Sequence, residues 1–408
     1  MKNDSDPFSI ADHAMMAQAL RLAERGLHTT QPNPRVGCII ARDGEVIGEG
    51  WHERAGEPHA EVFALRAAGS RARGATAYVT LEPCAHHGRT PPCAEALIEA
   101  GIARVVAACE DPNPKTAGGG LRRLREAGIE VQSGLMGEAA RELNRGFFSR
   151  MQRGRPWVRV KLAMSLDGRT ALDSGESKWI TGEAARTDVQ RWRARSSAIL
   201  AGAGTVRADD PRLTVRLPAS ETLSPVGRGQ GEGGANTSAK VPPHPNPLPG
   251  GERESSWRTA FIPPVRIVLD AQLDALPADA NLLDGSAPTL VLHAPGARPR
   301  DQRYARAELA PVPVNAQGRF DLAEAMRLLA AREINELQVE AGPSLCGALL
   351  DAGLVDELLL YIAPVLLGDL ARPLLHLPPL AEMTRRRSLQ VVEQRMLGTD
   401  IRLLLRPA

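Results

Sequence analysis

Apolar and polar positions in the first 150 residues switch between a helical and a strand period. Residues 9–26 carry apolar side chains at three- and four-residue spacing and stop at Gly26, which predicts an amphipathic helix. The runs VGCIIA (36–41) and EVIGEGW (45–51) flank Asp43-Gly44, and two β-rich runs around Asp-Gly predict a hairpin. Helical spacing returns at 59–68 and at about 92–100, 118–127 and 137–150. Strand-like runs lie between them at 75–81, 104–109 and 129–132. Strands alternating with helices predict a three-layer α/β domain over residues 1–150.

The tetrapeptide Arg153-Gly154-Arg155-Pro156 reads as a domain joint, and a second alternation covers 156–408. Strand patterns fall at 157–168, 197–202, 265–270, 289–293, 336–342 and 356–364, with helices at about 183–194, 321–332 and 343–352. A hairpin at about 389–406 closes the chain. Residues 220–258 interrupt this pattern with Gly, Pro and small polar residues. Such a segment buries too little apolar surface to offset its ordering entropy, so it reads as a disordered insertion in a surface loop. The absence of aromatic or periodic apolar residues in it argues against a functional lid.

Composition narrows the class. A chain of 408 residues with 43% hydrophobic and 24% charged residues suits two globular domains. A formal net charge of +2 provides no global field for nucleic acid or an anionic membrane. The first sixteen residues lack a basic segment followed by an apolar one, so no secretory signal is expected. No apolar run is long enough to span a bilayer. Five cysteines are too few for a disulfide framework and fit a reducing compartment, so a cytoplasmic location is expected. Lysine is scarce, which draws attention to Lys161 and Lys178, close together.

The chemistry of the first half lies in two short stretches. PHAEV (58–62) carries His59 and Glu61, and TLEPCAHHGRTPPCAEAL (80–97) carries Cys84 and Cys93. One His and two Cys make a three-ligand zinc set that leaves a fourth position for water, whose pKa the ion lowers toward neutrality. Glu61, two residues from a ligand, suits a proton shuttle. The order His-x-Glu, then Pro-Cys, then Cys is the signature of nucleobase deaminases. A structural site would normally have four protein ligands, and His86 or His87 is available to complete one. The complete ordered set favours catalysis. Cys38, Cys109 and Cys346 sit in apolar patterns and read as core packing.

Eight residues separate the two cysteines where nucleobase deaminases commonly have two. With PNPRVGC (32–38), GEPHAE (56–61), EPCAHHGRTPPC (82–93) and DPNP (111–114), the first half resembles the deaminase half of the bifunctional riboflavin-biosynthesis family through residues 9–150. The resemblance implies a cytidine-deaminase-like fold, zinc at His59, Cys84 and Cys93, and Glu61 as proton shuttle. It also implies that Asn33, His52 and His86 help to form the pocket. The implied reaction is hydrolytic loss of the 2-amino group from a diamino-ribosylamino-pyrimidinone 5′-phosphate.

The second half has no GxGxxG after a strand, so the Rossmann fingerprint is absent. Its residues alone support a phosphate-bearing ligand, received at the helix start after Gly342 or gripped by Arg193 and Arg216. KLAMSLDG (161–168), SGESKWIT (174–181), ILAGAGTVRADDPRLTVR (199–216) and VEAGPSLCGALLDAGLVDEL resemble the reductase half of the same family, a dihydrofolate-reductase-like α/β fold. That resemblance implies NADPH against Ala163, Trp179, Thr205, Asp209, Gly342, Pro343, Ser344, Leu345, Cys346, Gly347 and Ala348. It implies the ribosyl phosphate against Ser177, Arg193, Leu213, Arg216 and Glu340, and hydride transfer to C1′ of the opened ribose. Spacing does not separate Lys161 from Asp209 as the proton donor. The family also implies a homo-oligomer acting on small phosphorylated pyrimidines. The rivals are a nucleic-acid base deaminase, disfavoured by the near-neutral charge and the appended second half, a non-catalytic zinc scaffold, and an enzyme whose reductase half has decayed.

Overall fold

A computed structural model describes residues 6–85, 92–114, 116–178, 180–216 and 261–408. The expected insertion at 220–258, Trp179 and His86 lie outside the described residues.

The first half is built on α1 (Ile10–Glu24), β1 (Gly37–Arg42), β2 (Glu45–Trp51), α2 (Ala60–Ala68), β3 (Thr76–Val79), α3 (Cys93–Glu99), β4 (Arg104–Ala107), α4 (Gly119–Glu126), β5 (Glu130–Ser133), α5 (Gly137–Leu143) and α6 (Arg145–Arg153). The strands form one sheet in the order β2-β1-β3-β4-β5. Strands β3, β4 and β5 run parallel, and β1 is antiparallel to both neighbours. The β1–β2 turn is at Asp43-Gly44, both at positive φ (51° and 82°), the geometry that Asp-Gly favours. Period-two alternation splits the core in two. Cys38, Ile40, Val79 and Val105 pack with helices α2, α3 and α4, whereas Ile39, Tyr78 and Val106 pack with α1, α5 and α6. Both faces of the central strands are therefore covered, which gives three layers.

Residues 137–150, expected as one helix, form two. Asn144 leaves helical geometry (φ −107°, ψ 19°) because its side chain pairs with the backbone of Arg35. Its Oδ1 accepts from the Arg35 N–H at 2.7 Å, and its Nδ2 donates to the Arg35 carbonyl at 2.9 Å. An Asn side chain that both accepts from and donates to the backbone of a distant residue competes with the helix interior.

The second half continues with β6 (Trp157–Ser165), β7 (Arg169–Ala171), α7 (Glu183–Arg195), β8 (Ala198–Gly202), α8 (Ala203–Asp209), β9 (Val265–Leu269), β10 (Thr289–His293), β11 (Glu308–Pro311), α9 (Leu322–Ala331), β12 (Glu336–Val339), α10 (Pro343–Asp351), β13 (Glu357–Ala363), β14 (Arg372–Pro373), β15 (Leu389–Leu397) and β16 (Asp400–Pro407). A nine-stranded sheet runs β11-β10-β9-β8-β12-β6-β13-β16-β15. It is parallel from β11 to β13, and the β15–β16 hairpin adds an antiparallel edge. The sequence pattern did not signal edge strand β11, whose ELAP carries the proline that an edge position tolerates.

The joint at 153–156 is tied down. Arg153 donates to Asp356 Oδ1 at 2.7 Å, and Arg155 grips the same carboxylate at 2.7 and 2.8 Å. Among the described residues no helix is long and apolar enough to cross a membrane.

Candidate active sites

Helix α2 sets the first site. Its N-cap is His59 and its first turn holds Glu61, so both side chains leave one helix end. The helix lies directly on β2 because Gly48 and Gly50 have no side chains. A Cβ on Gly50 would stand 2.5 Å from the Ala60 carbonyl oxygen, and one on Gly48 would stand 2.3 Å from that of Ala64. Cys93 opens α3, and its backbone N–H reaches Cys84 Sγ at 3.4 Å.

These elements bring three ligand atoms together. His59 Nδ1 is 3.6 Å from Cys84 Sγ and 3.3 Å from Cys93 Sγ, and all three atoms lie within 4.8 Å of one another. Nitrogen and sulfur on one tetrahedral zinc ion stand about 3.6 Å apart, given Zn–N near 2.1 Å and Zn–S near 2.3 Å. The donor set and its spacing therefore fit zinc. Cys93 and His59 pull the Cys84 thiol down to about 4, toward the thiolate that a metal needs.

Glu61 is 3% exposed, and its Oε2 has no partner among the described residues. Burial pushes its carboxyl up to about 7, against the attraction of His59. A divalent cation beside it would pull that value back down. His52 stands edge-on to His59, with ring centroids 5.3 Å apart. The Asn33 amide donates to His52 Nε2 at 3.1 Å, and His52 Nδ1 donates to the Pro58 carbonyl at 3.1 Å, an assignment that requires one neutral tautomer. Burial lowers the His52 pKa in the same sense.

Glu82 belongs to the site although the EPC motif that contains it points to Cys84 alone. Its buried carboxylate accepts four backbone N–H groups. Those of Gly120 and Leu121 reach Oε1 at 2.9 and 3.2 Å, and those of Gly118 and Asp111 reach Oε2 at 2.9 and 3.1 Å. Gly118, the N-cap of α4, has no side chain with which to cap, so Glu82 serves the helix start from another segment. The same bonds hold Asp111 and Gly118 at the edge of the site. The resulting cavity has a volume of about 640 Å³ and is lined by Asn33, His52, His59, Glu61, Cys84, Asp111 and others. That volume suits a small-molecule ligand.

The second group of candidates gathers where adjacent parallel strands β8 and β12 end. Gly202 caps α8 and Gly342 caps α10, with Pro343 at the first helical position. Leu345 packs against Gly202, so the two turns adjoin. Gly342, Ser344 and Ala348 are exposed, and Ser344 Oγ is 3.0 Å from His376 Nδ1. Cys346 and Gly347 face inward. Cys346 is part of the main core and its thiol donates to the Ala341 carbonyl, while a Cβ on Gly347 would meet the His376 carbonyl oxygen at 2.1 Å.

Arg193 and Glu340 form a two-pronged ion pair at 2.7 Å on both arms, and Arg193 also donates to the Thr214 carbonyl at 2.9 Å. The Arg193 fork is thus already engaged, whereas the side chain of Arg216 is exposed. Burial lowers the Lys161 ammonium pKa, opposed by the nearby Glu340 carboxylate. Ala163 is half-buried on β6, Thr205 is half-buried on α8, and Ser177 is exposed. Asp209 is exposed at the end of α8. Its neighbour Asp210 is structural, because it accepts from the Asn281 N–H at 3.0 Å and from its Nδ2 at 2.7 Å. Leu213, at φ 47°, buries its side chain among Ile199, Val206 and Leu273, so only its main chain is left to meet a ligand.

A three-layer domain with a His-Cys-Cys cluster, joined to a parallel-sheet domain with paired βα turns, defines a zinc-binding deaminase fused to a reductase-type domain. Residues 9–109 match the cytidine and deoxycytidylate deaminase zinc-binding region, and residues 156–403 match the RibD C-terminal domain. The chain belongs to the RibD family of riboflavin biosynthesis proteins. It is 48% identical to riboflavin biosynthesis protein RibD of Escherichia coli K12 over 390 residues, covering 96% of this chain and 98% of that protein. Its fold is similar to Acinetobacter baumannii RibD in form 1 (TM-score 0.81, 43% identity, 98% of this chain and 99% of that one). It is similar also to a Thermotoga maritima diaminohydroxyphosphoribosylaminopyrimidine deaminase/5-amino-6-(5-phosphoribosylamino)uracil reductase (TM-score 0.78, 29% identity, 98% and 99%).

Proposed function

We propose that this chain carries out two successive steps. The first is hydrolytic deamination of 2,5-diamino-6-ribosylamino-4(3H)-pyrimidinone 5′-phosphate. The second is NADPH-dependent reduction of 5-amino-6-(5-phosphoribosylamino)uracil to the ribityl compound. The observation that carries this reading is the His59–Cys84–Cys93 cluster beside buried Glu61 in a cavity of about 640 Å³.

His59, Cys84 and Cys93 would hold a zinc ion, which would supply the Lewis acidity that makes water a nucleophile near neutral pH. Glu61 handles the protons. Its carboxylate takes one from the attacking water and passes it to the ring nitrogen, then takes the second from the newly formed hydroxyl and gives it to the leaving amine. A C–N bond breaks, a C=O bond forms and ammonia leaves. Asn33 and His52 hold the ring from the cavity edge.

In the second half the nicotinamide, when bound, supplies hydride chemistry. The turns after β8 and β12, through Thr205, Asp209 and the 342–348 segment, hold the cofactor. Ser177, Arg216 and the main chain of Leu213 meet the ribosyl phosphate, whereas Arg193, engaged by Glu340, supports that site without gripping the phosphate. Lys161 Nζ delivers the balancing proton. The lowered pKa of its ammonium and its closeness to Glu340 and Arg193 support it over the exposed Asp209.

A coupled assay on zinc-loaded protein tests this, with products followed by mass. Ammonia release without NADPH, then a two-hydrogen mass gain only with it, is the expected result. No ammonia from the diaminopyrimidinone phosphate would sink the assignment.

A further inference from the structure

The first cavity is not built from the first half alone. Glu333, in the turn between α9 and β12 of the second half, is part of its lining. Two residues further on, Asn335 is 4% exposed and bridges the halves. Its Nδ2 donates to the Pro32 carbonyl at 2.8 Å, and its Oδ1 accepts from Arg150 Nε at 2.7 Å. Arg150 Nη2 reaches the same Pro32 carbonyl at 3.3 Å. One residue back, Gln31 Nε2 donates to the Arg195 carbonyl at 2.6 Å, so the second half holds two consecutive residues of this segment. The approach is close. A Cβ on Gly146 of α6 would stand 2.7 Å from the Asn335 carbonyl oxygen.

The held segment is the cavity edge. Pro32, Asn33 and Pro34 all line it, as does Arg150. From Asn33 the hydrogen bonds run on to His52 and then to the Pro58 carbonyl, one residue before His59. A short side chain that donates and accepts from two separate atoms is needed at 335, and Asn meets that need where ionised Asp, an acceptor only, would not.

We propose that the reductase half completes the deaminase pocket, with Glu333 as part of its wall and Asn335 as a positioning residue that sets the Pro32–Asn33 edge. This rests on the deaminase reading of the cavity. Deamination is then a property of the fused chain, because the edge that meets the substrate takes its position from the second half. Strand β12 begins beside this wall at Glu336 and leads to Glu340 at the second site. One short strand therefore joins the supports of both sites.

Three variants of the full chain test this: Asn335→Ala, Asn335→Asp and Glu333→Arg. Asn335→Asp keeps an acceptor for Arg150 but sets a buried carboxylate oxygen against the Pro32 carbonyl in place of the donor. Both Asn335 variants are expected to raise the deaminase KM about tenfold, the scale of one lost buried hydrogen bond. Zinc content, and reductase kinetics measured on the deaminated ribosylaminouracil phosphate, are expected to stay at wild-type values. The Glu333 side chain is 65% exposed, so Glu333→Arg leaves the fold intact while reversing a charge on the wall. It is expected to shift the deaminase KM threefold or more with reduction unchanged. Deaminase kinetics within twofold of wild type in all three variants would overturn the inference. So would a parallel fall of both activities and of zinc content, which would mark Asn335 as ordinary interdomain packing. Failure of the wild-type chain to release ammonia is a separate result and would remove the deaminase reading itself.

Discussion

At Glu61 burial works against charge, beside three side chains placed so that they could hold a metal. Glu61→Gln keeps the shape and removes the exchangeable carboxylate. Ammonia release is expected to fall by about 10²–10⁴-fold while bound zinc stays at one equivalent per chain. Turnover near wild type, or zinc lost with it, would assign Glu61 a different role. Lys161→Ala is expected to slow NADPH oxidation by about 10²-fold and to leave ammonia release intact, whereas Asp209→Ala acts through cofactor KM. The reverse pattern in stopped-flow traces would exchange their roles. His59, Glu61, Cys84 and Cys93 were legible because ligand chemistry needs particular residue types in a local order. Leu213 shows the limit of that legibility, whereas the core position of Cys346 was readable from its apolar pattern. A motif position fixes where the main chain runs, but only packing decides that the Leu213 side chain points into a core.

Among the elements, α2 and α4 position the first site by different means. Helix α2 is seated by the missing side chains of Gly48 and Gly50, whereas the start of α4 is held by a carboxylate from a distant segment. Glu82→Ala would leave four backbone N–H groups of α4 and the 111–118 loop without their acceptor. An unfolding free energy lower by about 3 kcal/mol is expected in urea titration, with a higher deaminase KM. A change under about 0.5 kcal/mol would show that water replaces the carboxylate without cost. The break between α5 and α6 has a similar origin. Residues 137–150 carry helical periodicity throughout, and nothing local to Asn144 announces that the backbone of Arg35 will claim its side chain.

Across the whole molecule the halves meet through buried charge. Glu336 at the start of β12 is ringed by Arg35, Arg159 and Arg195 at 2.9, 3.0 and 3.1 Å. Glu357 receives Arg159 and Arg145 at 2.8 and 3.0 Å and Arg406 at 3.2 Å. Burial alone would raise both carboxyls, but the surrounding guanidinium groups hold Glu357 down to about 2 and Glu336 well below its ordinary range. A depressed carboxylate stabilises the fold above its unfolded pKa of 4.5, and the contribution disappears as pH falls through the folded value. The urea midpoint is therefore expected to hold from pH 7 to about 5 and to drop steadily between about 4.5 and 2. Because the pairs are dry, 1 M salt is expected to move it little at pH 7. A midpoint flat to pH 3 would show that these pairs contribute nothing to folding.

Several features were set by the sequence itself. The period of the apolar pattern dictates two α/β units, Asp43-Gly44 dictates the first hairpin, and the ordered His-x-Glu and Cys-Cys spacing dictates a zinc-type donor set. Each of these depends on neighbours within a few residues or on chemistry that few residue types can perform. Tertiary structure alone decided that Glu82 caps a helix more than thirty residues away, that Arg193 is spent on Glu340, and that Asn335 shapes a pocket three hundred residues earlier. Such partners are chosen by three-dimensional proximity, where a buried donor or acceptor must be matched by whatever group the packing brings within reach.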